Sequence, residues 1–337
     1  MTVNDASLGE SGSKLSKVAA TSLLMGVTRA SSEAYARNIR IESSDFGGPL
    51  VVCVNDESFE TSDAAKLVYS LMAEEWSIFA DWNPWHGCTK VSPGCRFCYV
   101  YRQDEMYGSE IASNLARKTA AFNLPVKRKR DKTFKIPSGK IVFTCFTSDF
   151  LLEDADPWRP ECWEMMRFRS DCMFYFFTKR IDRLERCLPP DWGDGYENVI
   201  IGCTVENQAM AERRLPIFKE LPIRHKSIIV APMLERMDIS RWLDGTIEEV
   251  SVSGESGVGA RPCDFDWILN LRSQCVAKEV PFRFHQTGAY FIKDGRTYRI
   301  HRRHQLSQAH KANIDYGIKE YYVPEKPWNL WAESDYR

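Results

Sequence analysis

Six short apolar runs, rich in β-branched and aromatic residues, recur along the chain from residue 140 onward. They are Lys140–Ser148, Cys172–Lys179, Asn198–Val205, Lys226–Met233, Glu249–Glu255 and Pro281–Thr287. Near-continuous apolar runs of this length suit strands buried on both faces of a parallel sheet. Amphipathic segments lie between them, most clearly Pro157–Ser170, Gln208–Glu220 and Phe265–Lys278. Pro157 suits an early helical position, and Asp264 is placed to cap the helix that follows it. Strand alternating with helix predicts a parallel α/β architecture. A parallel β/α barrel, partial rather than closed, is the preferred form. A doubly wound sheet is the runner-up, because its glycine fingerprint is missing.

Three regions follow from the change of character along the chain. Residues 1–78 read as an N-terminal extension, with a short strand at Pro49–Val54 and a helix-like stretch at Ser62–Glu75. Residues 79–290 hold the alternating pattern, and residues 291–337 read as a basic and then aromatic tail. The formal net charge of −1 excludes a strongly basic nucleic-acid coat. No run approaches the roughly 20 apolar residues of a membrane span. The N-terminal residues lack the pattern of a secretory signal, so a cytoplasmic, reducing setting is expected. The 11 cysteines are then thiols or metal ligands rather than disulfides.

The densest chemistry lies between Asp81 and Arg102, where Cys88, Cys95 and Cys98 form a C-x6-C-x2-C cluster. Two cysteines two residues apart can direct both thiolates at one metal, and Pro93-Gly94 supplies the turn that returns the longer spacer. Three readings stand. The thiols are structural; or they bind zinc with His86 as a fourth ligand; or they hold a four-iron cluster with one iron open to a ligand.

The cysteines sit in Trp82-Asn83-Pro84, Gly87-Cys88-Thr89-Lys90-Val91-Ser92-Pro93-Gly94-Cys95 and Cys98-Tyr99. Thr147-Ser148-Asp149, Thr178-Lys179-Arg180, Gly202–Asn207, Gly254–Gly257, Ala260-Arg261-Pro262 and His285–Gly288 follow in order. Over residues 79–316 the chain resembles a phage-associated, radical-SAM-like protein family of unknown function. The resemblance implies a 4Fe-4S cluster on Cys88, Cys95 and Cys98, with S-adenosylmethionine at the open iron and a reducing electron donor as partner. It implies an enzyme that cleaves S-adenosylmethionine to start radical chemistry on a substrate it does not name, for which the basic run at residues 127–135 makes a nucleotide or nucleic acid the candidate. The alternative is a non-catalytic cluster- or metal-binding accessory protein that binds nucleic acid. The six-residue first gap is longer than the three-residue gap of the commonest radical-SAM pattern. Two positions depart from the family pattern. Ala231 stands where a Glu is usual, and His285-Gln286-Thr287-Gly288 replaces Lys-Gln-Trp-Gly.

Polar residues recur where the apolar runs end, and in parallel α/β folds those ends share one rim. Within the resemblance, Ser148 and Asp149 are candidates for the amino group of S-adenosylmethionine, and Glu206 and Asn207 for its ribose. Phe97 is the candidate to pack on adenine, and Gly254 and Glu255 to line the approach. Asp149, Lys179, Glu206 and Glu255 are expected to face one cavity with the cysteines, and Glu206 is also a candidate helix cap. Lys127-Arg128-Lys129-Arg130, with Lys132 and Lys135, is a basic run that reads as a solvated loop or a phosphate contact. The remaining cysteines, Cys145 and Cys203 included, read as small buried hydrophobes.

Overall fold

The computed structural model describes residues 40–43, 50–54, 57–59, 78–108 and 113–318. The chain divides into two compact units, Met1–Ile78 and Phe79–Arg337. In the first, strands β1 (Arg40–Ser43), β2 (Leu50–Val54) and β3 (Glu57–Phe59) form an antiparallel sheet. The strand expected at 49–54 is therefore present as β2. The helix expected at 62–75 lies outside the described residues.

In the second unit the six apolar runs all become strands. They are β7 (Ile141–Thr144), β8 (Met173–Thr178), β9 (Val199–Thr204), β10 (His225–Val230), β11 (Ile247–Ser253) and β13 (Phe282–Gln286). A seventh strand, β4 (Phe79–Trp82), pairs with β7 at the edge of the sheet. Every pairing is parallel, and the spatial order follows the chain, β4-β7-β8-β9-β10-β11-β13. Right-handed crossovers in a sequential sheet put every connection on one face. The sheet curls around the other face into a half-barrel, which is a partial β/α barrel.

Alternation along the strands separates the two faces. Val142, Phe174, Phe176, Ile201, Ile228, Val230, Val252 and Phe284 belong to the main core, together with Trp163, Leu215, Phe218 and Leu271 from the helices. Each of these large side chains contributes about 1.5–3 kcal/mol by leaving water. Ile141, Met173, Tyr175, Ile200 and Ile229 form a smaller cluster on the concave face.

The helices are α1 (Tyr99–Met106), α2 (Arg159–Phe168), α3 (Leu184–Cys187), α4 (Gln208–Glu220), α5 (Phe265–Ala277) and α6 (Arg302–Lys311). Asp264 caps α5 through the amide of Asp266, as its position suggested. The first helical turn of α2 takes Pro160 rather than Pro157. Residues 290–316 pack within the fold. Strand β14 (Tyr290–Lys293) pairs with β15 (Arg296–Arg299) and with β12 (Cys263–Asp264), and Tyr316 bridges to Phe282. No described helix is long and apolar enough to cross a membrane.

Candidate functional site at the carboxyl rim

The cysteine segment leaves the carboxyl end of β4 and lies over the strand ends. It starts with β5 (Trp85–His86), which pairs with β6 (Arg117–Lys118). It continues through a single tight turn at Pro93–Cys95, and Cys98 stands at the N-cap of α1. Trp82 and Trp85 are fully buried and anchor its start, their indole N–H groups donating to Phe122 O (2.9 Å) and Asp149 O (3.3 Å). The Thr147-Ser148-Asp149 segment after β7 holds the next residues. The Thr147 amide donates to Asn83 Oδ1 (3.0 Å), its hydroxyl donates to Trp85 O (3.1 Å), and Ser148 Oγ donates to Gly87 O. The hydroxyls of Tyr101 and Tyr99 donate to Cys88 O and Phe146 O.

The three rim carboxylates are buried, and each is paired with an arginine. Asp149 accepts from the Leu151 amide, Thr178 Oγ1, the Lys179 amide and Arg180 Nη1, at 2.9, 2.8, 3.0 and 3.2 Å. Arg180 also reaches Cys88 Sγ at 3.6 Å and Thr89 O and Oγ1 at 2.9 and 2.7 Å. Glu206 is fully buried. Its Oε1 accepts the Gly94 amide (3.1 Å) and its Oε2 accepts Arg214 Nη1 (2.8 Å). Glu255 accepts the amide and side chain of Arg261, whose guanidinium lies 5.5 Å from the ring centre of Phe97. The cysteine segment is thus braced at residues 88–89, at 94 and at 97. A buried charge needs such a partner, because desolvation costs several kcal/mol per unpaired ion.

Ser148, Asp149, Glu206 and Glu255 converge at the rim, but their hydrogen-bonding atoms are engaged by protein donors and acceptors. Asn207, not Glu206, caps α4, its Oδ1 accepting the Met210 amide at 2.9 Å. At Gly254 the Thr287 carbonyl crowds the place of a Cβ, so a larger residue does not fit there. Phe97 is half-buried between Arg96, Arg261 and Gly259. Lys179 differs from the other rim charges. It is half-buried, and its one described side-chain hydrogen bond is a long contact to Ala231 O (3.5 Å). A glutamate side chain at position 231 would originate beside that ammonium, for which the described residues show no ion pair.

Cys88, Cys95 and Cys98 are partly exposed free thiols, whereas Cys145, Cys162, Cys172, Cys187, Cys203, Cys263 and Cys275 are buried. Burial, aided by the charge of Asp149 and opposed by Arg180, pushes Cys88 up to about 12. Burial also raises Cys98, against the Val100 amide and the charge of Lys179. The charge of Cys95 acts on both thiols, so the three are electrostatic neighbours. As placed, no group of three or more described His, Cys, Asp or Glu side chains could hold a metal ion. His86 Nε2 faces both carboxylate oxygens of Asp104, at 2.8 and 2.9 Å.

Sequence reasoning missed Arg214, Arg261, Tyr99 and Tyr101. Arg214 had a readable signal, since it shares the apolar face of α4 with Ala211, Leu215 and Phe218. A cation on a buried face requires a buried carboxylate.

A protein-family model for proteins of unknown function, DUF5131, matches residues 74–316. The match spans most of the chain, including every rim residue described above, and the chain belongs to that family. Neither a curated protein nor a solved structure gives a significant match.

Proposed function

We propose that the chain is a radical-SAM-like iron–sulfur enzyme whose cluster is held by Cys88, Cys95 and Cys98. The observation that carries this reading is the contrast between the cysteines. Three partly exposed thiols share one segment braced at three points, while the other seven described cysteines are buried. Three thiolates and no fourth ligand are the donor set of a four-iron cluster with one open iron. Such a cluster would supply an electron to S-adenosylmethionine and so begin radical chemistry.

The residues of this chain bind and orient. The thiols must lose their protons on loading, which the raised Cys88 opposes. Arg180 directs an N–H at Cys88 Sγ, the kind of contact that tunes cluster potential. Lys179 is the rim cation available to an anionic group. Anaerobic reconstitution with iron and sulfide, followed by assay of S-adenosylmethionine cleavage, is the test. Iron uptake with release of 5′-deoxyadenosine is expected, and a protein that takes up no iron refutes the proposal.

A second reading is a cluster-bearing protein without turnover. It is favoured by the engagement of Asp149, Glu206 and Glu255, which leaves none of these carboxylates open for a ribose or an amino group. That reading expects a loaded cluster and no cleavage in the same assay.

A further inference from the structure

The basic run is an ordered hairpin at the opposite end of the sheet from the cysteines. It leads through Gly139 and Lys140 into the amino end of β7. Its legs are joined by the Lys135 amide donating to Lys127 O and the Lys129 amide to Thr133 O, each at 2.7 Å, and by a bridge between Arg128 and Phe134. The turn is closed by Asp131, which accepts from the amide (2.9 Å) and hydroxyl (2.6 Å) of Thr133.

Its charge is one-sided. Lys127, Arg128, Lys129, Arg130, Lys132 and Lys135 are all exposed, against the single acid Asp131. Six cations less one acid leave +5 on nine residues of a chain whose net charge is −1. Asp131 is engaged within the turn. Among the described residues no carboxylate forms an ion pair with Lys127, Lys129, Arg130, Lys132 or Lys135. Arg128 donates to Lys132 O.

The base of the hairpin is fixed from below. Arg169, only 1% exposed, donates to Pro125 O on one flank and to Ile136 O (2.8 Å) on the other. It is held by Asp171 at 2.8 and 2.9 Å, and its guanidinium lies 4.2 Å from the ring centre of Phe134. A buried ion pair therefore presents a cationic tip in one conformation. Between Lys127 and Lys135 the one large apolar side chain is Phe134, which is half-buried. The tip thus lacks the apolar centre of a protein–protein interface and the inserting side chains of a membrane-surface element. Closely spaced cations on a rigid support instead suit a regularly repeating polyanion.

We infer that the hairpin at residues 127–135 is a docking surface for the phosphate backbone of a nucleic acid. Five phosphate contacts imply a log–log salt slope of about −4.5 on duplex DNA, a fall in affinity of roughly 500-fold between 50 and 200 mM salt. Removing three contacts leaves a slope of about −1.8, a fall of roughly 12-fold over the same range.

The test is fluorescence anisotropy with labelled single-stranded RNA, single-stranded DNA and duplex DNA across that salt range. Polyglutamate and phosphatidylserine vesicles are the competing polyanions. The triple variant K129Q/R130Q/K132Q should bind nucleic acid more weakly and with the flatter slope. Lys135→Gln alone should lower the slope by about 1. Arg213→Gln and Lys278→Gln, which remove exposed cations elsewhere, should change neither. Unchanged melting and iron uptake in the triple variant separate this surface from the cluster reading. The inference is overturned if the wild type fails to bind nucleic acid, if polyglutamate or vesicles bind more tightly, or if the triple variant keeps the wild-type slope.

Discussion

Replacing Glu206 by Gln tests whether the rim carboxylates brace the cysteine segment or serve a ligand. Glu206 is 0% exposed and lies 2.8 Å from Arg214, itself 5% exposed. The change removes the negative charge and leaves a buried guanidinium. Breaking a buried pair from one side costs about 3–5 kcal/mol. The lower end applies, because Arg214 Nη1 also donates to Thr204 O at 2.8 Å and the new amide oxygen can still accept the Gly94 amide. About 3 kcal/mol in a unit of this size lowers Tm by roughly 6–12 °C. Thermal unfolding followed by near-ultraviolet circular dichroism reads that loss. The rate at which a thiol reagent labels Cys95 reads the loosening of the segment. Adding Arg214→Met to Glu206→Leu, so that neither charge remains, should recover most of the lost stability. The bracing argument fails if Glu206→Gln melts like the wild type while its affinity for S-adenosylmethionine falls, because the carboxylate would then face a ligand.

Gly94→Ala places a methyl group 3.0–3.2 Å from the side chain of Glu206. It should cost about 1–3 kcal/mol by overpacking and speed labelling of Cys95; equal labelling rates would show that the segment yields without strain. Iron uptake should release protons and rise between pH 6.5 and 8.5, because the raised Cys88 thiol must be deprotonated to bind; uptake independent of pH would contradict this. Donation from His225 Nδ1 to the Glu248 carboxylate raises the His225 pKa, so the pair stabilises the fold below the unfolded value of about 6.5 and ceases to do so as pH rises through the folded value. Denaturant titration should therefore show His225→Asn to be more costly at pH 5.5 than at pH 8.5. A penalty that grows with pH would reverse the assigned sign.

Much of the sheet was legible because β7 to β10 are largely buried on both faces, which writes near-continuous apolar runs into the sequence, while β11 and β13 set buried apolar residues between more exposed polar ones. Strand β4 was not legible. It has four residues at the sheet edge, with Phe79 and Asp81 exposed, so it carries no such run. The convergence of Asp149, Glu206 and Glu255 followed from their positions at strand ends. Their roles did not follow, since an arginine's choice of carboxylate depends on contacts such as Arg180–Asp149 and Arg261–Glu255 that only the fold creates. Gly94 and Gly257 illustrate the same limit. Gly94 faces a side chain 112 positions away, and Gly257 adopts a φ of +102° beside the Arg102 side chain; neither neighbour is visible from local turn chemistry.

The central claim is that Cys88, Cys95 and Cys98 together hold an iron–sulfur cluster. Its most direct test is iron and sulfide content after anaerobic reconstitution of the wild type, Cys95→Ala and Cys187→Ala. Cys187 is buried and accepts from Arg159 Nη1 at 3.2 Å, away from the cysteine segment, and serves as the control. The account predicts a brown, four-iron wild type and Cys187→Ala, and a colourless Cys95→Ala that melts at the wild-type temperature of the unloaded protein. A wild type that binds no iron, or equal loading of all three proteins, would contradict it.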